Sequence, residues 1–534
     1  MTDSEGAERP IEMIPPSPIS AMPDTLPEPP RRWSRRQLLI AGGGLAAVGL
    51  AGCGAGFVIG ADSAREANRG NEVGAADNLL SFVSRPDLHV QRVVVSTPSP
   101  DPSAGYVLLT PAQGEGQFGT LMVDTNGVPV WFRPVPPPAT VAIDLKVQRY
   151  RGEPVLTWWE GLIGGTGGLG VGQGEFVVFD NRYREVTRIR ADGVTQADQH
   201  DLKITERGTA LFWVYRPISA DLTSVGGPAA GALHDGVLQE VDIATGKLIM
   251  EWRASDHVAF DESYAPLPTG DSALLPYDYF HANSVAEDTD GNLLISARHT
   301  WTVYKVDRES GDVIWRLGGK RSDFRLPEDA VFSWQHDARR RGDGTISLFD
   351  NAAGVTREHD RSRGLILSLD EDAKTATMVH EYVHPRRLSA PTQGSMEERP
   401  DGGSFIGWGE LPYFTEFAED GTVLFDGRLP SDSQSYRASR TAWTAEPADQ
   451  PAVGLRREAG KLVAYASWNG ATEVETWQIR AGAQPGSLGL VADGDRTGFE
   501  TAVTVPGDPE YLRADAFATD GRLLGSSAII PVRG

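Results

Sequence analysis

The chain has 534 residues, which is enough for more than one domain and for a large buried core. Its 73 acidic and 50 basic residues give a formal net charge of −23, which argues against a nucleic-acid partner because nucleic-acid binding needs a basic surface. Sixty glycines, 36 prolines and 13 tryptophans predict short strands joined by many turns rather than long helices.

The N-terminal segment has the features of a bacterial export signal. The leader up to residue 33 is Pro-rich, acidic and without periodicity, as in disordered segments. Ser-Arg-Arg-Gln-Leu-Leu at 34–39 is a twin-arginine pattern, and a weakly apolar run over 40–52 leads to Cys53, which follows Leu-Ala-Gly as in a lipobox. The run is too short and too rich in glycine for a stable membrane span, so it predicts an export signal, with an uncleaved membrane anchor as the alternative.

Both interpretations place the body of the protein outside the cytoplasmic membrane. The leader and signal over 1–53 predict export by the twin-arginine machinery in a folded state and a lipoprotein anchored to the cell membrane through Cys53. Because Cys53 is the only cysteine, no disulfide can form within the chain. Small and polar residues over 54–78 predict a tether, and the folded body begins near Leu79.

One structural unit recurs from residue 79 to residue 437. Each unit has four short apolar segments separated by turns, and the third segment ends in an aspartate in five units: Asp124, Asp180, Asp242, Asp307 and Asp370. A sixth unit ends its third segment at Phe417. Six units, each about the length of a four-stranded sheet with its loops, predict an all-β, six-bladed β-propeller, because one four-stranded blade cannot bury both of its faces alone. A β-sandwich is the weaker alternative, since its spacing would be shorter and less regular.

The repeat stops after residue 437, and the composition over 438–534 changes to short runs of alternating apolar and polar residues. Turn signals stand at Asn469-Gly470 and Asp520-Gly521. This pattern predicts a separate β-sandwich of immunoglobulin or fibronectin type. It contains no residues that suggest chemistry, so we expect it to support the propeller or to bind a surface.

Three histidines precede the glycine turn of consecutive units. His200 and His336 lie eight residues before such a glycine, and His281 lies ten residues before one. We therefore expect all three at the entry to the innermost strand of their blades, with their rings converging at one mouth of the channel. Arg298 ends the strand that should return beside His281, where a buried guanidinium is costly unless it meets an anion or a carboxylate.

Such a group of side chains is suited to one of two kinds of ligand. Three converging histidines can bind a metal ion, but no two of them share a short motif, and each has a polar neighbour suited to orienting its ring: Asp201, Asn283 and Asp337. The other ligand is an oxyanion, with a neutral imidazole as nucleophile and Arg298 holding the oxygens. A salt bridge from Arg298 to Asp337 or Asp201 is the structural alternative.

Five motifs in this order carry a family resemblance: His-Ala-Asn-Ser at 281–284, Ser-Ala-Arg-His-Thr at 296–300, Trp-Arg-Leu-Gly-Gly-Lys at 315–320, Gln-His-Asp-Ala-Arg at 335–339 and Leu-Phe-Asp-Asn at 348–351. They resemble the bacterial-type arylsulfotransferases, which work without PAPS. The resemblance covers roughly 79–430. It implies a six-bladed propeller that moves a sulfuryl group from an aryl sulfate donor to a phenolic acceptor through a sulfated histidine, with no cofactor and no metal.

The motifs also suggest roles for individual residues. By resemblance, His336 is the nucleophile, His281 and Arg298 hold the sulfate group, and His200 joins them in the catalytic set. Two asparagines of the motifs are candidates for substrate binding, as is a serine near the equivalent position of the last blade: Asn283, Asn351 and Ser395.

Two departures from the family pattern suggest a divergent lipoprotein branch. Soluble periplasmic members carry a disulfide near the catalytic histidine, which a chain with Cys53 alone cannot form, and they lack the C-terminal domain. A non-enzymatic exported propeller lipoprotein that binds an anionic glycan or scaffolds envelope proteins is the main alternative. A quinoprotein-like or hydrolytic propeller with a metal ion is the second, and a sulfatase results if water replaces the phenol.

Overall fold

A computed structural model describes residues 78–532 except 102, 165–169, 194–195 and 270–274. The twin-arginine pattern, Cys53 and nearly all of the proposed tether lie outside the described residues, so the expectations about them stay predictions. Within the described part, no helix has the length and apolar character needed to cross a membrane.

Short antiparallel strands joined by turns form the described part of the chain up to residue 441. In chain order they are β1 (Leu79–Ser81), β2 (His89–Gln91), β3 (Val94–Thr97), β4 (Tyr106–Leu109), β5 (Gly119–Val123), β6 (Pro129–Pro134), β7 (Val141–Tyr150), β8 (Glu153–Ile163), β9 (Gly172–Phe179), β10 (Glu185–Ile189), β11 (Leu202–Ile204), β12 (Thr209–Ala220), β13 (Gly231–Asp242), β14 (Leu248–Arg253), β15 (Ala282–Glu287), β16 (Leu293–Ala297), β17 (Thr302–Val306), β18 (Val313–Gly318), β19 (His336–Arg340), β20 (Ile346–Asp350), β21 (Arg363–Asp370), β22 (Thr375–Tyr382), β23 (Ser395–Glu398), β24 (Ser404–Gly407), β25 (Tyr413–Phe417), β26 (Val423–Arg428) and β27 (Ser439–Thr441). The helical segments among the described residues are α1 (Ala254–His257) and three single 3-10 turns (Thr223–Val225, Phe260–Glu262, Glu328–Ala330).

β1 and β2 pair with each other in a two-stranded sheet. The other strands form six sheets, which we number as blades 1 to 6. Blade 1 has the order β27-β4-β5-β6, blades 2 to 5 contain β7–β10, β11–β14, β15–β18 and β19–β22, and blade 6 contains β23–β26 with β3 added at its outer edge. The predicted all-β, six-bladed propeller is therefore confirmed. The innermost strand of blade 1 comes from the far end of the ring, because Ser439 pairs with Leu108 and Thr441 with Tyr106. The sheet thus includes three residues that the sequence analysis placed after the propeller.

The aspartates of the repeat owe their position to a turn. Each one accepts hydrogen bonds from backbone N–H groups of the turn between the third and fourth strands: Asp124, Asp180, Asp242, Asp307 and Asp370. Short acidic side chains form such local turns readily, which explains why the residue recurs at nearly constant spacing.

Among the described residues of the propeller, the hydrophobic core consists of six clusters, one between each pair of neighbouring blades. Large aromatic side chains dominate them: Trp213 and Phe280 lie between blades 3 and 4, and Trp131 and Trp158 between blades 1 and 2. Each fully buried large apolar side chain contributes about 1.5–3 kcal/mol. The ring is therefore stabilised at every contact between blades. This packing fixes the positions of the innermost strands and hence of the side chains that they carry.

The region after residue 441 folds as two further sheets. Its strands are β28 (Ala452–Glu458), β29 (Lys461–Ser467), β30 (Thr476–Gln484), β31 (Ser487–Asp495), β32 (Glu500–Val505), β33 (Tyr511–Phe517), β34 (Leu523–Ser526) and β35 (Ile530–Pro531). One sheet has the order β28-β29-β32, and the other has the order β31-β30-β33-β34 with β35 paired to β33. Both sheets contribute to one buried cluster, which includes Leu462, Val503, Trp477 and Leu512. The immunoglobulin or fibronectin type of this sandwich stays a prediction.

Hydrogen bonds attach this sandwich to blades 1 and 2. The side-chain amide of Asn469 accepts from the N–H of Phe132 at 2.9 Å and donates to its carbonyl at 2.8 Å, as a neighbouring strand would. The Tyr183 hydroxyl donates to the carbonyl of Gly470 at 2.9 Å. These contacts are consistent with a supporting role.

Candidate functional site

The entry to the innermost strand places histidines at equivalent positions in blades 3 and 5. The turn after this strand begins with the same backbone hydrogen bond in three blades, donated by Thr205, Asp288 and Arg341. His200 and His336 lie five residues before that point, but the equivalent residue of blade 4 is Asn283. His281 lies two residues earlier, so the expectation that all three histidines share one repeat position is wrong for His281.

His281 nevertheless reaches the same place as the other two. Its backbone φ is 50°, in the left-handed region that residues other than glycine adopt rarely and that collects at functional sites. Its ring centroid lies 4.8 Å from that of His200 and 4.6 Å from that of His299. The Tyr436 ring lies between His200, at 5.8 Å, and His336, at 6.5 Å. We call His200, His281, His299, His336 and Arg298 the histidine cluster.

The hydrogen bonds of His336 define its tautomer. The Asn351 amide donates through Nδ2 to the carbonyls of Ala390 and Gln393, at 2.8 and 2.9 Å, so its Oδ1 points to the ring. This oxygen can only accept, so Nδ1 of His336 carries the proton and donates at 2.7 Å. Nε2 therefore has the lone pair, and it accepts from the N–H of Gln393 at 3.2 Å. Burial and the nearby charge of Arg298 hold the pKa of His336 well below its ordinary value, which keeps the ring neutral.

Carboxylates orient the other two predicted histidines. Nδ1 of His200 lies 2.5 Å from Asp198 Oδ1, and Nδ1 of His281 lies 2.5 Å from Asp278 Oδ2. The sequence analysis chose Asp201 and Asn283, one and two residues after these histidines, as the orienting partners, and both choices are wrong. Burial, followed by repulsion from His200 and Arg298, holds the pKa of His281 well below its ordinary value. The Nε2 atoms of both rings have no hydrogen-bond partner among the described residues, so they are available to a ligand.

Arg298 is a buried cation that forms no direct ion pair with a carboxylate in the described part of the chain, although Asp278 and Glu410 lie near enough to raise its pKa. Nη1 donates to Nε2 of His299 at 2.9 Å, Nη2 donates to the carbonyl of Pro391 at 2.9 Å, and the guanidinium lies 4.9 Å from the Trp334 ring centroid. Its Nε has no partner among the described residues. Burial lowers the pKa of Arg298 to about 10, so the side chain remains charged at neutral pH. A buried positive charge of this kind is stabilised when an anion binds.

His299 is a site residue that the sequence analysis missed, although it directly follows Arg298. Its Nδ1 lies 2.5 Å from the carbonyl of Asp278 and donates to it, while Nε2 accepts from Arg298. Burial lowers the pKa of His299 to about 3, and the ring is therefore neutral. It fixes one side of the guanidinium.

The aspartates that follow His200 and His336 belong to a second group of charges. Asp144, Asp201 and Asp337 all have positive φ values, which turn their carboxylates away from the preceding side chains. They form ion pairs at 2.6 to 3.2 Å with three cations, in what we call the ion-pair cluster: Asp144, Asp201, Asp337, Lys146, Arg339 and Arg437. The alternative in which Arg298 pairs with Asp201 or Asp337 is therefore wrong, and Asp337 is not the residue that orients His336.

The three residues proposed for substrate binding have different surroundings. Asn351 holds the nucleophile candidate, as described above. Asn283 is fully buried and donates to the carbonyl of Gln335 at 2.7 Å, while its Oδ1 has no partner among the described residues. The Ser395 hydroxyl donates to the carbonyl of Ala438 at 3.1 Å and accepts from its N–H at 3.2 Å. Ser395 thus links blade 6 to the segment that closes the ring, and its role in substrate binding stays a prediction.

One trio in the histidine cluster has the composition of a metal site. Ligand atoms of Asp278, His281 and His299 lie within 4.8 Å of one another. Both ring nitrogens of His299 are already used, however, one toward a carbonyl and one toward the Arg298 cation. A metal ion would have to displace these bonds and lie beside a guanidinium, so the donor set fits an anion better than a metal.

Fold and site together define a β-propeller protein in which histidines at the ends of inner strands surround the guanidinium of Arg298, which forms no direct ion pair among the described residues. The model of the Arylsulfotransferase (ASST) family matches residues 146–429, more than half of the chain. The chain therefore belongs to the arylsulfotransferase family, which supports aryl sulfotransferase activity with an aryl sulfate donor and a phenol acceptor at the level of the family. No curated protein sequence matches this chain.

Several solved structures align with parts of the chain at low identity. They include a protein of unknown function from Bacteroides caccae (11% identity, 62% of this chain and 98% of that chain, TM-score 0.37), streptogramin B lyase (10%, 70% and 94%, TM-score 0.34) and quinohemoprotein alcohol dehydrogenase from Comamonas testosteroni (11%, 79% and 80%, TM-score 0.32). These alignments are too loose to carry an argument about function.

Proposed function

We propose that the protein transfers a sulfuryl group from an aryl sulfate to a phenolic acceptor through a sulfated His336. The observation that carries the proposal is a pair of neighbouring groups. His336 is a buried, neutral imidazole with its lone pair on Nε2, and Arg298 is a buried cation that pairs with no carboxylate in the described residues. The first group is a nucleophile, and the second is suited to holding the oxygens of a sulfate ester.

In the first step, Nε2 of His336 attacks sulfur in line with the aryl oxygen. The N–S bond forms as the S–O bond to the aryl group breaks, while Arg298 holds the non-bridging oxygens. The N–H of Gln393 donates to Nε2 at 3.2 Å before the reaction, which is at the long end of hydrogen-bond distances. This weak bond must break as sulfur approaches, and the same N–H then lies near the sulfuryl oxygens.

Asn351 explains how the intermediate can react further. A neutral amide oxygen cannot take the proton from Nδ1 of His336, so the sulfated ring keeps that proton and carries a positive charge. The leaving group of the second step is then a neutral imidazole rather than an imidazolate anion. An acceptor phenol attacks sulfur, the N–S bond breaks, and the resting tautomer returns.

The histidines with carboxylate partners are suited to moving the proton. The pairs His200–Asp198 and His281–Asp278 each leave Nε2 free, and the carboxylate stabilises the ring while it is protonated. Because the lowered pKa of His281 keeps its ring neutral, His200 is the ring suited to this exchange. It must hold a proton on Nε2 when the donor reacts: it gives that proton to the departing aryloxide and takes one back from the incoming phenol, so the protons balance over the two steps. General acid–base catalysis of this kind contributes ~10²–10⁴-fold. The scheme uses no cofactor and no PAPS.

The location of the reaction is part of the proposal. The twin-arginine pattern and Cys53 support export and lipid anchoring, which would place the site on the outer side of the cytoplasmic membrane. Donor and acceptor would then be aryl sulfates and phenols outside the cytoplasm.

Mass spectrometry after brief incubation with 4-nitrophenyl sulfate tests the proposal. We expect a sulfuryl adduct on the peptide that contains His336, release of 4-nitrophenol, and faster release when phenol is added. The His336→Asn variant should show neither adduct nor release. Turnover without an adduct would falsify the covalent route, and an adduct on the His200 peptide would move the nucleophile to that residue.

The same experiment addresses the alternative functions. Binding of the ester without release of 4-nitrophenol would favour an anion-binding propeller lipoprotein. Release that phenol does not accelerate, with free sulfate as the product, would favour a sulfatase. Loss of activity on chelation would favour a metal-dependent propeller.

A further inference from the structure

Tyr436 is a buried residue of the site to which neither the motifs nor the family comparison assigns a role. It lies after residue 429, where the family match ends, in the segment that leads to the ring-closing strand. Its side chain is 6% exposed, and its hydroxyl has no hydrogen-bond partner among the described residues. Buried polar groups are nearly always hydrogen-bonded, so an unpaired hydroxyl beside reactive groups indicates that a bound ligand supplies its hydrogen-bond partner.

The surroundings of Tyr436 hold it in place between two site histidines. Its ring centroid lies 5.8 Å from that of His200 and 6.5 Å from that of His336. Its carbonyl accepts from the N–H of Gly394 at 3.0 Å. The next residue, Arg437, lies 2.9 Å from Asp201 and donates to the carbonyl of Asn283 at 2.8 Å. The hydroxyl is thus positioned before any ligand arrives, as electrostatic catalysis requires.

We propose that the Tyr436 hydroxyl donates a hydrogen bond to an oxygen of the sulfuryl group while that group is transferred between the aryl oxygen and His336. This inference rests on the proposed function and names a further substrate-contacting residue for it. Burial raises the pKa of Tyr436, so the hydroxyl keeps its proton and acts as a hydrogen-bond donor rather than as the acid that protonates the aryloxide. Arg298 and Tyr436 would then both bind oxygens of the sulfuryl group.

The Tyr436→Phe variant tests this role because it removes the oxygen alone. We expect kcat with 4-nitrophenyl sulfate and phenol to fall roughly ten- to a hundredfold with little change in KM, since the bond is made mainly in the transition state. The rate of adduct formation at His336 in a rapid-quench experiment should fall by the same factor. The melting temperature should stay level or rise, because the lost hydroxyl had no partner in the folded protein.

A purely structural tyrosine would give the opposite pattern, with a lower melting temperature and an unchanged rate of adduct formation. Tyr382→Phe, which alters a buried tyrosine on the outermost strand of blade 5, is the matched control and should keep the wild-type rate. If wild type is active and Tyr436→Phe retains more than half of its adduct rate, the inference is overturned while the proposed function stands. If wild type itself forms no adduct and releases no 4-nitrophenol, the proposed function fails and this inference fails with it.

Discussion

The histidine cluster and the ion-pair cluster are built from neighbouring residues of the same strand entries, but they differ in how their cations are paired. His200 and Asp201 are adjacent, as are His336 and Asp337, and each pair sends one side chain to each cluster. In the ion-pair cluster three carboxylates meet three cations. In the histidine cluster Arg298 forms no direct ion pair within the described residues. An amide holds the His336 ring and a backbone carbonyl holds the His299 ring. Carboxylates hold the rings of His200 and His281 at Nδ1. The comparison indicates that the ion-pair cluster stabilises the ring of blades and that the histidine cluster is suited to binding an anion.

The largest effect that this comparison predicts is on stability. Arg437→Met removes the cation that contacts both Asp144 and Asp201 and leaves those carboxylates buried. Breaking a buried ion pair on one side costs about 3–5 kcal/mol. Because Lys146 still contacts both carboxylates, the free energy of unfolding in denaturant should fall by up to that amount. Arg456→Met, at an exposed position of the sandwich, is the control and should change it by less than about 0.5 kcal/mol. A loss at Arg437 no larger than the control would show that the ion-pair cluster is not structural.

The same substitution in the histidine cluster should have its main effect on activity. Arg298→Met removes the charge proposed to hold the sulfuryl oxygens, and we expect kcat/KM for 4-nitrophenyl sulfate to fall ~10²–10³-fold, as for loss of one donor to a transition-state oxyanion. Because Arg298 forms no direct ion pair and attracts Asp278 and Glu410 only at longer range, the free energy of unfolding should fall by less than in Arg437→Met. Equal destabilisation of the two variants would contradict the division into two clusters.

Local signals in the sequence were sufficient to predict the fold. The aspartates of the repeat cap a turn through bonds to residues two to four positions away, so their spacing reports the blades directly. The ring closure could not be predicted in this way. Ser439–Thr441 is a strand of three residues whose partners, Tyr106 to Leu108, lie more than 300 residues earlier. Nothing in so short a segment specifies such a distant partner.

The site was predicted as a set of residues more successfully than as a set of contacts. His200, His281, Arg298 and His336 do converge, but two carboxylates that orient histidines precede them in sequence, at Asp198 and Asp278. For His200 and His336 the adjacent aspartates were the obvious candidates, and only the positive φ values of Asp201 and Asp337 show that these carboxylates point elsewhere.

Other site residues were not predicted. His299 lies in the motif at 296–300, next to Arg298, but its role depends on a hydrogen bond to Arg298 that spacing cannot show. Tyr436 reaches the site through the ring-closing segment, outside the run of motifs.

A substitution of Asn351, which accepts the hydrogen bond from Nδ1 of His336, tests how a ring held by an amide differs from a ring held by a carboxylate. Asn351→Asp would give His336 the kind of partner that His200 and His281 have. A carboxylate at Nδ1 raises the pKa of the imidazole by about 1–3 units, which makes the ring a poorer leaving group, so decay of the adduct in the presence of phenol should slow roughly tenfold. Single-turnover quench experiments measure this decay, with Asn126→Asp in an exposed turn of blade 1 as the control. Unchanged decay would show that the amide at 351 is not needed for the second step.

The smallest predicted effect is the pH dependence of stability, which tests whether the rings around Arg298 are neutral in the folded protein. Burial lowers the pKa of His299 to about 3, against about 6.5 for an exposed histidine, so below pH 6.5 the unfolded chain binds a proton that the folded protein does not. Stability linked to His299 is therefore complete above about pH 6.5 and is lost as the pH falls toward 3, by roughly half a kcal/mol between pH 7 and pH 6. Denaturant unfolding across this range should show a shallower decline for His299→Gln than for wild type. Parallel curves would mean that His299 is protonated in the folded protein, and Arg298 would then have no neutral acceptor on that side.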